Sequence, residues 1–185
     1  MRKRTTCVAL VTAAVALVVG TAGGAAAAPV PVPAEQLALR SWTLLNEHGP
    51  GANPGERLTA WVDARTVDGR TRGHAVVQHV FIGKGTVRVE FDVDCLTSDG
   101  GAVTVTGPVA TATATPADGR PPTTGPAGWH PETGLTFYPA DEHGERRVGW
   151  AGADLLDPSK PARATKCTPL PADLWVIEGR TVVHE

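Results

Sequence analysis

One stretch of alternating side chains, residues 86–109 (TVRVEFDVDCLTSDGGAVTVTGPV), limits the possible folds more than any other part of the chain. Its first half alternates charged residues with five apolar ones, which are Val87, Val89, Phe91, Val93 and Cys95. Because successive side chains of a β-strand point to opposite faces, this period of two places all five on one face. Residues 99–101, Asp-Gly-Gly, tolerate the positive φ angles of a tight turn, and a valine-rich segment follows. The stretch predicts a β-hairpin with one buried face, and a cysteine lies on that face.

Residues 1–28 have the three parts of a cleavable export signal. Residues 2–4 are Arg-Lys-Arg, residues 8–19 are apolar except for Thr12, and residues 25–28 offer an Ala-x-Ala cleavage site. The alternative is a permanent membrane anchor, since no charged residue occurs between residues 5 and 34. Alanine and glycine fill the second half of that run and insert weakly. We therefore expect cleavage and secretion, followed by a Pro/Val-rich tether at residues 29–36.

Cleavage would change both the length and the charge of the chain. Residues 29–185 are enough for one domain with a substantial core, but they are a short length for two domains. The formal net charge moves from −2 to −5, because three cationic residues and no acidic ones are removed. An acidic domain without a basic stripe is not expected to bind nucleic acid. No later segment is long and apolar enough to span a bilayer.

The exported chain would keep two cysteines, Cys95 and Cys167, after losing Cys7. In an oxidising compartment they have one possible intramolecular pairing, and we expect that bridge. Two free thiols are the alternative. Neither cysteine belongs to a CxxC or CxH cluster, so a zinc site is not predicted, and no cofactor is predicted.

Further strand patterns occur at residues 58–66, 73–82, 134–139 and 146–150, and a closing hairpin is expected at 174–184 with Gly179 in its turn. Residues 37–45 fit a helix or a strand, and we favour a strand because everything downstream is β. Short turns between consecutive strands favour antiparallel pairing. Residues 37–185 are therefore expected to form one all-β domain, an antiparallel sandwich or closed barrel of about 8–10 short strands. A Pro/Thr-rich loop is expected at residues 110–131, where only the Thr/Ala alternation of 110–115 has strand character.

Two segments resemble the small secreted all-β proteins of actinomycetes: residues 92–109 (DVDCLTSDGGAVTVTGPV) and residues 134–150 (GLTFYPADEHGERRVGW). In that group a strand ending in Cys-Leu enters an Asp-Gly turn and a Val-Thr-Gly strand. A later hairpin and a second cysteine near the C-terminus complete the pattern. The resemblance covers roughly residues 58–185. It implies an exported domain with a Cys95–Cys167 bridge and no established activity, and the insertion at 110–131 departs from it.

Sequence motifs for catalysis are missing from the exported part of the chain. It contains no G-x-S-x-G nucleophile elbow, and its three serines, at positions 41, 98 and 159, lie in other contexts. Residues 83–85, Gly-Lys-Gly, lack the spacing of a phosphate-binding loop. We therefore favour a non-catalytic domain with a binding or structural role in the cell envelope or the medium. The alternative is a barrel that holds a small apolar ligand, or an enzyme built in such a cavity.

Titratable residues are typical of a solvated surface. His74 and His79 lie five apart on one expected strand and so face opposite sides of it. The acidic turn around His143 and the carboxylate row of Glu90, Asp92 and Asp94 would suit a hard cation. An exposed turn and an exposed sheet face have the same composition, so no metal site is predicted.

Five tryptophans, at positions 42, 61, 129, 150 and 175, are the sharpest functional signal. Trp61 and Trp175 fall opposite the positions assigned to the core. Exposed indoles on a sheet face offer flat apolar contact with a polar edge, which suits sugar rings or a partner protein. We therefore predict a binding face that includes Trp61, Trp129 and Trp175, with cell-wall polysaccharide or another protein as partner. The alternative is a second apolar layer between two sheets.

Overall fold

The computed structural model describes residues 35–49, 55–155 and 157–185, which form ten strands and no helix. The strands are β1 (Glu35–Asn46), β2 (Glu56–Val67), β3 (Arg70–Phe81), β4 (Gly85–Val93), β5 (Cys95–Asp99), β6 (Ala102–Pro116), β7 (Thr123–Thr124), β8 (Glu132–Phe137), β9 (Arg147–Ala151) and β10 (Leu174–His184). The expected export signal and residues 29–34 of the expected tether lie outside the described residues. Strand β1 begins at Glu35, two residues before the expected start of the domain. None of the described segments is a helix that would be long and apolar enough to cross a membrane.

Eight of the strands close into an antiparallel barrel. The ring runs β1, β2, β3, β4, β6, β8, β9 and β10, and β10 pairs again with β1. Strands β1 to β4 form a meander, as expected from their short connections. Closure depends on two long-range pairings, β4 with β6 and β1 with β10. The predicted all-β antiparallel fold is confirmed, and the architecture is the barrel.

The hairpin of residues 86–109 is confirmed and is longer than expected. Strands β4 and β5 lie one after the other along the same edge of β6, with Phe91 opposite Val109 and Cys95 opposite Thr106. Val89, Phe91 and Val93 point inward and are at most 3% exposed. The expectation that Cys95 shares their face was wrong, because the strand is interrupted at Asp94, so that Cys95 lies on the outward face with Thr106 and Leu96 enters the core instead. Gly100 and Gly101 have φ angles of 57° and 82° and supply the turn into β6.

Apolar side chains fill the interior of the barrel. In β2 every second residue is buried, so that Leu58, Ala60, Val62 and Ala64 point inward and the residues between them point outward. The largest side chains withdrawn from solvent in this cluster are Phe91, Leu39, Leu135, Val62 and Val77. An eight-stranded barrel is just wide enough for side chains to fill it. The alternation along the strands therefore supplies one continuous core.

Residues 157–173, which we call the C-terminal connection, cover the outer side of β6, β8 and β9. Leu170 and Ala164 pack with Ala151 of β9 in a small second apolar layer. Beneath this connection, outward-pointing threonines of β6 and β8 are buried instead of exposed, among them Thr104, Thr106 and Thr136. These strands are therefore buried on both faces. Strand β2 lies across the ring from β8, and there every second residue from Arg57 to Arg65 is half-buried or exposed.

The predicted bridge between Cys95 and Cys167 is confirmed, with 5.6 Å between the Cα atoms and a sequence separation of 72 positions. Cys95 lies on the outward face of the hairpin, where it is only 4% exposed, and Cys167 lies in the C-terminal connection that covers it. The backbone N–H of Cys167 also donates to the hydroxyl of Thr106 at 3.0 Å. The bridge therefore fastens the C-terminal connection to the barrel wall.

Two expectations about element boundaries were wrong. Residues 110–116 continue strand β6 and pair with β4, so the loop covers only residues 117–131 and contains the short strand β7. Threonine is β-branched and favours strands. In residues 110–116 this preference outweighs the effect of the proline and glycine residues that follow.

The expected closing hairpin at residues 174–184 is also absent, because these residues form the single strand β10 along β1. Gly179 does not turn the chain. The register with β1 shifts at Leu44/Leu45, where Ile177 is an extra residue, and Gly179 then lies against the β1 backbone. The expectation of a strand at residues 37–45 is confirmed by β1.

Candidate functional site

Two exposed indoles lie side by side on the outside of the barrel. Trp42 of β1 is directly opposite Trp61 of β2 in the antiparallel register. The residues on either side of each in sequence are buried, so alternation turns both indoles outward. Their exposed fractions are 45% and 43%, among the highest of the large apolar side chains in the described ranges. No neighbouring side chain in the described ranges covers this surface completely, so the pair presents a flat apolar area to solvent.

The pair belongs to a row of outward side chains that crosses five strands. Arg180 of β10 is opposite Trp42, Trp61 is opposite Val76 of β3, and Val76 is opposite Glu90 of β4. Directly opposed side chains in antiparallel strands are about 4.5–5.5 Å apart at their Cβ atoms. The row therefore forms one continuous band with an apolar centre and a charge of opposite sign at each end. We call this band, with the outward residues next to it in β1 to β3, the tryptophan face.

Polar groups line shallow depressions on both sides of the two indoles. On one side are Arg40 and Asp63, whose Nε and Oδ1 atoms are 3.5 Å apart, with Arg180 and His184. On the other side are Thr59, His74, Gln78 and Arg88. The ring of His74 lies 6.3 Å from that of Trp61 at a tilt of 56°. Amide, imidazole and guanidinium groups thus surround the two indoles. Each of these groups is planar and forms its hydrogen bonds within its own plane.

Each carboxylate of the row formed by Glu90, Asp92 and Asp94 has a basic side chain next to it. Glu90 lies 2.8 Å from Arg88 and 3.2 Å from His74, which is also 3.8 Å from Asp92. Farther along, Asp94 accepts a hydrogen bond from the Lys166 ammonium, which raises the pKa of that lysine. The contacts made by Arg88 and Lys166 are surface ion pairs. Within the described ranges, no group of three or more His, Cys, Asp or Glu side chains is arranged to hold a metal ion.

The other two tryptophans of the predicted binding face lie elsewhere. Trp175 is half-buried beneath the guanidinium of Arg147, whose Cζ is 3.1 Å from the ring centroid. Trp129 is half-buried against Gly125 in the 117–131 loop and packs with the apolar cluster of Leu155. The structure therefore does not bring Trp61, Trp129 and Trp175 together.

Sequence reasoning missed Trp42 as a member of the face. In a strand over residues 37–45, Trp42 shares its side with Arg40 and is opposite in phase to Leu39 and Leu45. That phase already signals an outward indole in the strand expected over these residues.

No protein-family model, no curated protein and no solved structure matches this chain. The resemblance to the secreted actinomycete proteins stays a prediction. The function is therefore inferred from the chemistry of the surface.

Proposed function

We propose that this protein is secreted and acts without catalysis as a polysaccharide-binding domain in the cell envelope or the medium. The observation that carries this proposal is the exposed cross-strand pair of Trp42 and Trp61. The ligand lies across the tryptophan face, with sugar rings stacked on the two indoles.

The chemistry of the face suits sugars. The C–H faces of a sugar ring are apolar and pack on the π-surface of an indole, while its hydroxyl groups need donors and acceptors at the rim. Arg40 and Asp63 on one side, and His74 and Gln78 on the other, supply such groups. The depressions are open along the barrel surface, which favours an extended polymer over a small enclosed molecule.

The rest of the molecule also supports this assignment. Large apolar side chains fill the barrel interior, so the outer wall is the natural place for a ligand. The C-terminal connection covers one side of that wall and leaves the tryptophan face open. The Cys95–Cys167 bridge and the signal-like residues 1–28 both suit an oxidising compartment outside the cytoplasm.

Affinity electrophoresis in gels that contain soluble polysaccharides tests the proposal. At least one polymer should retard the native protein and alter its tryptophan fluorescence. Trp42→Ala and Trp61→Ala should each weaken retention by about tenfold, because each removes a stacking surface worth about 1.5 kcal/mol. The matched control is Ile177→Ala, which truncates another exposed apolar side chain (40%) in β10 and should change retention less than twofold.

Three outcomes would contradict the proposal. Retention that survives both tryptophan substitutions would remove the face from the binding site. Capture of a protein partner by the native chain, together with no retention by any polymer, would assign the face to protein binding. Stoichiometric uptake of an apolar dye by the native protein would support a ligand inside the barrel.

A further inference from the structure

Three arginines form a cationic patch at the end of the β2–β3 hairpin. Arg65 of β2 is directly opposite Arg72 of β3, and Arg70 is opposite Val67 one step closer to the turn. All three are exposed and line a depression together with Val67 and Asp68. Like charges directly opposite one another in a sheet are destabilising. A guanidinium pair at this position is therefore not explained by folding.

Neutralisation within the protein does not explain the patch either. Over the described part of the chain, no carboxylate oxygen lies within 4.0 Å of the side-chain nitrogens of Arg65, Arg70 or Arg72, although Asp68 is close in sequence. Arg40, Arg88 and Arg120, in contrast, each have an acidic partner. Residues 29–185 have a net charge of −5, so a cluster of unpaired cations runs against the overall balance.

The patch lies on the same side of the barrel wall as the two indoles. Trp61, Asp63 and Arg65 point outward in turn along β2, which places Arg65 about 13 Å from Trp61. Arg180, which is also without an acidic partner in the described ranges, adjoins Trp42 on β10. The aromatic pair thus has an unpaired guanidinium next to it and a cluster of three at one end of the same surface.

We infer that the polysaccharide bound at the tryptophan face is anionic, and that Arg65, Arg70 and Arg72 bind its acid groups; this inference rests on the proposed function. Sugar rings lie on Trp42 and Trp61, and carboxylate, sulfate or phosphate substituents reach the arginines. The planar guanidinium donates two parallel N–H bonds to such oxyanions. An anionic polymer also relieves the repulsion between Arg65 and Arg72.

Equilibrium binding at low ionic strength to dextran, carboxymethyl-dextran and dextran sulfate, together with polygalacturonate, tests the inference. The first three share a backbone and differ in charge, so they separate carboxylate from sulfate recognition. Native protein should bind an anionic polymer at least about tenfold more tightly than neutral dextran, and salt should remove the difference. Arg65→Gln/Arg72→Gln should lose at least about tenfold in affinity for that anionic polymer. Because the substitution removes a like-charge contact, the variant should melt no lower than the native protein.

The matched control is Arg57→Gln/Arg120→Gln. Arg57 lies on the same face of β2, as far from Trp61 as Arg65 but on the other side, and Arg120 lies in the 117–131 loop. This variant removes the same charge and should bind the anionic polymer within twofold of the native protein.

The outcomes separate this inference from the proposed function. Equal affinity for neutral and anionic polymers, or an equal loss of affinity in both double variants, would overturn the inference that the three arginines bind an anionic polymer. The proposed polysaccharide site at the indoles would remain. Binding to none of the polymers in either experiment would overturn both. Displacement of the anionic polymer by a lower concentration of single-stranded DNA would assign the surface to nucleic acid and overturn the inference.

Discussion

The backbone N–H of Leu170 donates to the hydroxyl of Thr136 at 2.9 Å, although the two residues belong to segments that are 34 positions apart. Thr136 points outward from β8 and is fully buried, and its hydroxyl also lies 3.0 Å from that of Thr104. The phenol of Tyr138 donates to the carbonyl of Leu170 at 2.5 Å. Side-chain hydroxyls thus hold a loop against the outer face of the sheet.

Thr136→Val should lower the free energy of unfolding by about 1–3 kcal/mol, because it leaves the buried N–H of Leu170 without its acceptor. Valine has nearly the same shape, so the loss reports the hydrogen bond. Urea unfolding followed by fluorescence measures it. Thr111→Val, at an exposed position of β6, is the control and should stay within about 0.5 kcal/mol of the native protein. Equal stability of the two variants would show that the loop does not depend on this contact.

The disulfide should provide a large share of the stability. Joining Cys95 to Cys167 closes a loop of 72 positions, and the chain-entropy account assigns such a loop about 4 kcal/mol out of a total of about 5–15 kcal/mol. Reduction should therefore lower the melting temperature markedly. Mass spectrometry of the native protein without reductant should show the loss of two hydrogens relative to the reduced chain. Two thiols that react with an alkylating agent in the native protein would contradict the bridge.

Local alternation was enough to predict most of the strands. Val89, Phe91 and Val93 repeat with a period of two that only a half-buried strand explains, and the glycines after Asp99 mark the turn. Closure of the barrel was not predictable from such patterns. It depends on the pairing of β1 with β10 and of β4 with β6, whose registers join residues far apart in sequence.

The binding face shows the same limit. Trp61 was identified because it lies opposite in phase to Val62 in a clear pattern. Trp42 lies in a segment whose leucines also fit a helix, so the alternation that turns its indole outward is a weaker signal there. That Trp42 and Trp61 are neighbours follows from the register between β1 and β2, which one sequence does not contain. The pairing of Arg65 with Arg72, in contrast, follows from the two-residue Asp68-Gly69 turn, which fixes the register of its hairpin.

The turn at residues 141–145 should contribute to the loss of stability in acid. The N–H of Glu145 and that of His143 each donate to Oδ1 of Asp141 at 2.9 Å, and the bond from Glu145 is the main reason that the pKa of Asp141 lies below its ordinary value. Since the folded pKa is depressed, this stabilisation is complete above the ordinary carboxyl pKa and is lost as the pH falls through the folded value.

Asp141→Asn keeps the oxygen acceptor and removes the charge, so its stability should fall less steeply between about pH 5 and pH 2 than that of the native protein. Urea unfolding over that range measures the slope. Glu142→Gln makes the same charge change next in sequence and serves as the control. A native carboxyl of Asp141 that titrates above its ordinary range by NMR would contradict the expectation.

Gly179 allows β10 to close the barrel against β1, and its replacement tests that role. Its φ angle is 121°, and a Cβ atom there would lie 2.1 Å from the backbone oxygen of Trp42. Gly179→Ala should therefore cost about 3–5 kcal/mol, since both strain and overlap oppose the substitution. Gly119→Ala separates the two causes, because Gly119 also has a positive φ of 79° but has no atom within 4 Å of the added carbon. This control should cost about 1–2 kcal/mol. Thermal and urea unfolding of both variants give the comparison, and equal losses would show that the close approach of β10 to Trp42 does not limit closure of the barrel.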